Sequence, residues 1–236
     1  MAAYKETPRQ KMIAMMYLVL TAMLALNVSK EVIDAFVVVN DSIEKTNENF
    51  NDKIDQTYAK FQFQYEMNQE KVDSLWRKAQ RIKKHSDEMR NFLAAVRDTA
   101  IMKAEHKTME EIKNNVADEL GVSPGEITDI PLSLLKSKDK YDETTRYFVP
   151  SLEQPRKKGM ATTIRQEFLD YREDMLGLLP PGARDRFKIG PNFDTTYYDA
   201  DRKPVSWEVN NFYHTIMAAD VTILNKLITE VNNSEL

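Results

Sequence analysis

Residues 12–26 read MIAMMYLVLTAMLAL, fifteen positions without a charge, in which the Thr21 hydroxyl is the one polar atom outside the tyrosine. Asn27, Val28 and Ser29 carry the uncharged run on to Lys30. Coiled as a helix, residues 12–29 would span roughly 27 Å at about 1.5 Å per residue. A hydrocarbon core is about 30 Å thick, so the stretch predicts a slightly short transmembrane helix. Its flanks must snorkel or the bilayer must thin. Lys5, Arg9 and Lys11 precede the run, while Lys30, Glu31 and Asp34 follow it. The basic excess places the N-terminal side in the cytoplasm and everything beyond Ser29 outside.

The start of this helix is written in Thr7-Pro8-Arg9-Gln10. Thr at N-cap, Pro at N1 and Gln at N3 make a capping box with a preset first turn. The boundaries that follow are a cytoplasmic tail over 1–6, a transmembrane helix over 7–29 and an external helical domain over 30–236. One competing reading is a buried core helix of a soluble protein; the other is a cleaved secretory signal, which also has a basic start and a short apolar core. Against it, no A-x-A site follows and the helical pattern runs straight through Asn27-Val28-Ser29.

Beyond the span, no Gly or Pro occurs from Arg9 to Leu120, which predicts long helices. Val32, Phe36, Val39, Ile43, Phe50, Ile54, Tyr58, Phe61 and Tyr65 form a first stripe at helical spacing, with Asp41, Glu44, Glu48 and Lys53 on the other face. The membrane helix is expected to run into this one without a break. A second stripe extends from Val72 to Val96, and a turn near 67–69 would fold the two into an antiparallel pair. This second helix is expected to end before Gly121. Residues 121–160, broken by Pro124, Gly125, Pro131, Pro150, Pro155 and Gly159, read as a long connection with short helical turns. A further helix is predicted over 160–179, stopped by Pro180-Pro181-Gly182, then a turn-rich stretch able to hold a hairpin, then a last helix from its N-cap Ser206. The fold class expected is all-α, an up-down four-helix-bundle-like domain with irregular connections behind one membrane helix.

The composition argues against several kinds of chemistry. With 33 basic and 37 acidic residues the net charge is −4, which offers no footprint for nucleic acid. The absence of cysteine excludes disulfides and thiolate chemistry. The three histidines, His85, His106 and His214, do not stand at metal-ligand spacing, and no phosphate-cradling glycine loop or nucleophile elbow occurs. No enzyme, metal or cofactor is expected.

Arg9 has two readings. It is a topology determinant that snorkels to the headgroups, or an ion-pair partner for an acid on a neighbouring membrane helix, since ionisable groups at that depth serve proton and ion pathways. Tyr17 sits mid-span, where its hydroxyl either seeks another helix or packs as a plain aromatic. Thr21, Ala25 and Ser29 recur every four residues, a small-residue seam that lets another helix approach or a chance feature of membrane helices.

The stretch TPRQKMIAMMYLVLTAMLALNVSKEVIDAF at 7–36, with its T-P-R-Q-K-M-I opening, M-Y-L-V, A-M-L-A-L-N and S-K-E-V, closely resembles the start of the GldM/PorM family of the type 9 secretion system of Bacteroidota. A weaker likeness extends beyond Phe36 and through the Trp207–Leu227 region. The resemblance implies a homodimer whose two membrane helices sit inside a ring of GldL-like subunits. It implies an inner-membrane motor driven by the proton gradient, and motion passed to periplasmic and outer-membrane secretion components through later modules. It implies that Arg9 pairs with a glutamate of the ring and that Tyr17 matches the family's tyrosine on the same helix; Tyr17, Thr21, Ala25, Asn27 and Ser29 are the expected contacts to partner helices.

Overall fold

A computed structural model of the chain describes residues 7–152, 159–199 and 201–236, with the side chains of 23–29 outside the description. The expected first helix is continuous. Helix α1 runs Pro8–Met67 over 60 residues, about 90 Å at the α-helical rise. Its start matches the sequence reading: the Gln10 side chain accepts from the Thr7 backbone N–H at 2.9 Å. At Asn68 the chain turns, and α2 spans Gln69–Glu105. Phe61 and Tyr65 pack on Trp76, and the Tyr58 hydroxyl donates to the Ala79 carbonyl at 3.1 Å, so α1 and α2 are antiparallel.

The second helix does not reach Gly121 as one piece. It stops at His106, which takes a left-handed φ of 53°. A separate α3, Met109–Leu120, starts at Thr108. The break needs neither Gly nor Pro. Thr108-x-x-Glu111 is a capping box in which Glu111 accepts from the Thr108 N–H at 2.8 Å and from its hydroxyl at 2.9 Å. Two 3₁₀ turns follow at Pro124–Glu126 and Leu132–Leu134, then a short α4, Asp142–Phe148. Helix α5 spans Met160–Leu178. The hairpin is β1 Tyr197–Tyr198 against β2 Pro204–Val205. The predicted last helix is two: α6 Trp207–Phe212 and α7 Met217–Glu235, parted at His214 with φ 53°.

The four main helices are α1, α2, α5 and α7, but the up-down polarity is wrong. Arg97 of α2 meets Asn225 of α7 and Arg90 meets Asn232, so these two are antiparallel. Asn225 meets Asn40 and Asn232 meets Asn47, so α7 is parallel to α1. Helix α5 opposes α2, with Ser86 bonded to Tyr171 at 2.9 Å and His85 3.6 Å from Asp174. Three helices therefore run one way and α2 the other. Up-down order needs short loops. The long segment between α5 and α7 instead carries the chain back to the end where α5 began. It is fastened on the way: Arg172 donates to the carbonyls of Ile189 at 2.8 Å and Pro191 at 2.5 Å. Gly190, at φ +67°, lies where a Cβ would come within 2.9 Å of the Phe168 ring.

Two apolar clusters fill the domain. One gathers Leu93, Phe148, Phe168, Trp207, Phe212 and Leu224 around α2, α5 and α6. The other gathers Ile101, Ile112, Val116, Leu132, Met217 and Val221 at the end where α7 begins.

Candidate functional site

Helix α1 presents two very different environments along one rod. From Met12 to Leu20 its large apolar side chains stand 49–71 % exposed, and nothing among the described residues covers them. Met15, Met16, Tyr17, Val19 and Leu20 make one continuous apolar face. Among the described residues no helix is long and apolar enough to cross a membrane, and residues 23–29, the far end of the predicted span, have no described side chains. Arg9 is exposed in the first turn of α1, with no ion pair among the described residues. The Thr21 hydroxyl donates to the Tyr17 carbonyl at 2.7 Å, so it is satisfied within its own helix and presents a small, closed surface. Tyr17 is 69 % exposed. Ala25, Asn27 and Ser29 fall among the residues whose side chains lie outside the description.

Further along, α1 enters the bundle, and it does so through a polar seam. The stripe read from the sequence had Val39 inward and Glu44 outward. In the structure Val39 is half exposed, Asn40 is fully buried and Glu44 is partly buried. Asn225 donates through Nδ2 to Asn40 Oδ1 at 2.9 Å and to Glu44 Oε1 at 3.1 Å. Asn40 donates to the same Glu44 oxygen at 2.9 Å. One heptad on, Asn232 donates to Asn47 Oδ1 at 3.2 Å, and Asn47 reaches back to the Asn225 carbonyl at 3.1 Å. Asn40 and Asn47 are seven apart on α1, as Asn225 and Asn232 are on α7. In a parallel pair this places matched amides at equivalent core positions, the arrangement that fixes axial register in coiled coils at some cost in stability.

Two arginines of α2 brace the seam. Arg97 donates to Asn225 Oδ1 at 3.1 Å and to Asp129 at 3.0 Å. Arg90 donates to Asn232 Oδ1 at 3.0 Å, to Glu235 at 2.5 Å and to Asp87. Burial opposes the charge of Arg90, but Asp87 and Glu235 together hold its proton more tightly than usual. Burial pushes Glu44 above the ordinary carboxylate value, against the pull of Asn40 and Arg97. Burial likewise pushes the Tyr58 hydroxyl up, with the neighbouring Glu235 adding to it. A cleft of about 420 Å³ opens along the seam between Glu44, Asn47, Arg90, Arg97 and Asn225.

The seam escaped the sequence reading because Asn40 and Asn47 were assigned to neither face of the stripe and Glu44 was assigned to the polar one. Its signal was the seven-residue gap between Ile43 and Phe50, which Asn47 fills at helical spacing. The seam's acids are bonded to amides and arginines, and among the described residues no group of three or more His, Asp or Glu side chains could hold a metal ion. What it can do is hold one helix at a fixed height and rotation against two others.

The model of the GldM N-terminal domain family matches residues 31–236, the part of the chain from the end of the apolar stretch through the whole bundle. Among curated proteins no match to the chain is found. With those residues matched, and with the opening motifs pointing the same way, the chain belongs to the family of GldM N-terminal domains.

Proposed function

We propose that this chain is a force-transmitting subunit of the proton-driven inner-membrane motor of type 9 secretion and gliding, with α1 as the shaft. Family membership ties the chain to the gliding and type 9 secretion machinery. The observation that carries the finer reading is the continuity of α1, which joins Arg9 and the exposed apolar face to the polar seam without a break. A single rigid helix passes displacement from one end to the other. A parallel helix locked in register at Asn40–Asn225 and Asn47–Asn232 then moves with it.

On this reading residues 7–29 span the inner membrane, with the N-terminus cytoplasmic and the bundle periplasmic. Two copies place their apolar faces, including Tyr17, Thr21, Ala25, Asn27 and Ser29, against each other and against a surrounding ring of GldL-like subunits. Arg9, always charged, faces a ring carboxylate and depresses its pKa. Protonation of that acid breaks the pair and frees the helix to engage the next one. The membrane potential supplies about 2.3 kcal/mol per charge per 100 mV for such a step.

Arg9→Ala tests this directly. The variant should assemble with its membrane partner, as judged by co-purification, and should lose secretion and gliding. Full activity in an assembled Arg9→Ala complex rules the proposed coupling out. Sequencing the N-terminus of the mature protein checks the anchor itself: loss of the first 29 residues would exclude a membrane shaft.

A further inference from the structure

The foot of α7 holds a carboxyl that the seam does not use. Asp220 lies in the first turn of α7 and is 0 % exposed. Neither of its oxygens has a hydrogen-bond partner among the described residues. It is not capping the helix, because the leading N–H groups are already taken. Met217 donates to the Lys140 carbonyl at 2.8 Å and Ala218 to the Lys138 carbonyl at 3.0 Å, while the Asp220 N–H closes a helical bond to Ile216. The one side chain that acts on the carboxyl is the buried Thr144 of α4. Its hydroxyl proton goes to the Tyr141 carbonyl at 3.2 Å, which leaves its oxygen free to accept.

The charges on the surrounding elements are engaged elsewhere or exposed. On residues 136–140, Lys138 bonds the Ser133 carbonyl, while Lys136, Asp139 and Lys140 act only through the backbone or from outside. On α4, Arg146 pairs with Glu143 at 2.9 Å and Asp142 is exposed. On α2, Lys103 sits over the Tyr147 ring, and Glu105 accepts from the N–H groups of Lys136 and Ser137 at 2.7 Å. Asp34 and Asp41 of α1 are exposed, and His214 in the α6–α7 link packs its ring at a tilt against Tyr141. None of them bears on Asp220 alongside burial and Thr144. The positive end of α7 favours an anion there, but a carboxylate without donors in a dry site costs more than that dipole returns.

We infer that Asp220 is a proton-binding site, a neutral acid that donates to Thr144 and clasps the first turn of α7 onto α4 and residues 138–140. Burial also pushes the carboxyl well above the ordinary value, against the opposing pull of Thr144. When the proton leaves, the carboxylate must reach water. The route is opening of the first turn of α7, which breaks the Met217–Lys140 and Ala218–Lys138 bonds. A folded value raised above the unfolded one means that stability is full below the unfolded carboxylate value, near 4, and declines as pH rises toward the folded value.

The test compares the full chain with Asp220→Asn, whose amide can donate to Thr144 in place of the proton. Amide exchange at Met217–Asp220 is followed from about pH 5 to 9 and corrected for intrinsic rate. Protection in the wild-type chain should fall by up to about tenfold per pH unit, and in Asp220→Asn it should stay flat. Matching pH profiles for the two would overturn the inference. The carboxyl ¹³C shift of Asp220 in the wild-type chain gives a second readout that depends on no variant. It should report a protonated acid at neutral pH, and an ionised group there would overturn the inference as well.

Discussion

Replacing the two amides that meet at the top of the seam, singly and together, isolates what holds α1 in place. Asn225→Leu removes the donor to Asn40 Oδ1 and to Glu44 Oε1, and the acceptor of Arg97. Asn40 is fully buried and cannot turn to water. An orphaned buried polar group costs about 1–3 kcal/mol. Arg97 keeps Asp98 and Asp129, so its share is small. The single change should therefore cost about 3 kcal/mol. Asn40→Leu leaves Asn225 with Glu44 and Arg97 as partners and should cost about 2 kcal/mol. The double variant puts two leucines at equivalent positions of parallel helices, which is a favourable core pair. Its loss should fall short of the sum of the singles by about 1–2 kcal/mol. Glu44 still lacks both amide donors, so the recovery is partial. Urea unfolding of the four chains measures all three quantities. Strict additivity, or a single-variant cost below about 0.5 kcal/mol, would refute a register lock at this pair.

Two other changes test how the connections are fastened. At Gly159 a Cβ would sit 2.1 Å from the Phe148 carbonyl oxygen and 2.8 Å from Pro150, so Gly159→Ala must pry the start of α5 from the end of α4 and should cost about 3 kcal/mol or more in thermal or urea unfolding. A loss within about 0.5 kcal/mol would show that the two chain ends move apart freely. Thr108→Ala should cost about 1 kcal/mol by removing the cap of α3. Glu111 accepts from the Thr108 N–H and hydroxyl, which hold its carboxyl below the ordinary value, so its contribution is present above the unfolded value near 4.3 and lost as pH falls through the lower folded one. The stability gap between wild type and Glu111→Gln should accordingly close in acid, and a gap independent of pH would count against that cap.

The helical class, the long uninterrupted first helix, its start at Thr7-Pro8 and the turn at 67–69 were all legible from the sequence. Each is local. Capping needs four residues, amphipathic stripes repeat within a turn or two, and the lack of Gly and Pro leaves nothing to stop α1 between Pro8 and Met67. Two local breaks were also written there and passed over. Thr108-x-x-Glu111 starts a new helix without a breaker residue, and the apolar spacing after Ser206 masks the left-handed step at His214. Arg9 was singled out from the sequence because charge beside an uncharged run is a one-dimensional pattern.

Only the tertiary structure decided the polarity of the bundle, the polar seam and the proton site at Asp220. Polarity depends on where the long α5–α7 connection lands, and a loop of that length fits either direction. An asparagine in a stripe reads as solvent-facing until a partner 185 residues away matches it at the same spacing. A buried acid reads as a surface one until the neighbours that enclose it are known. Periodicity fixes which face of a helix is apolar, but burial of a polar group depends on what stands opposite, and that is a property of the assembled chain.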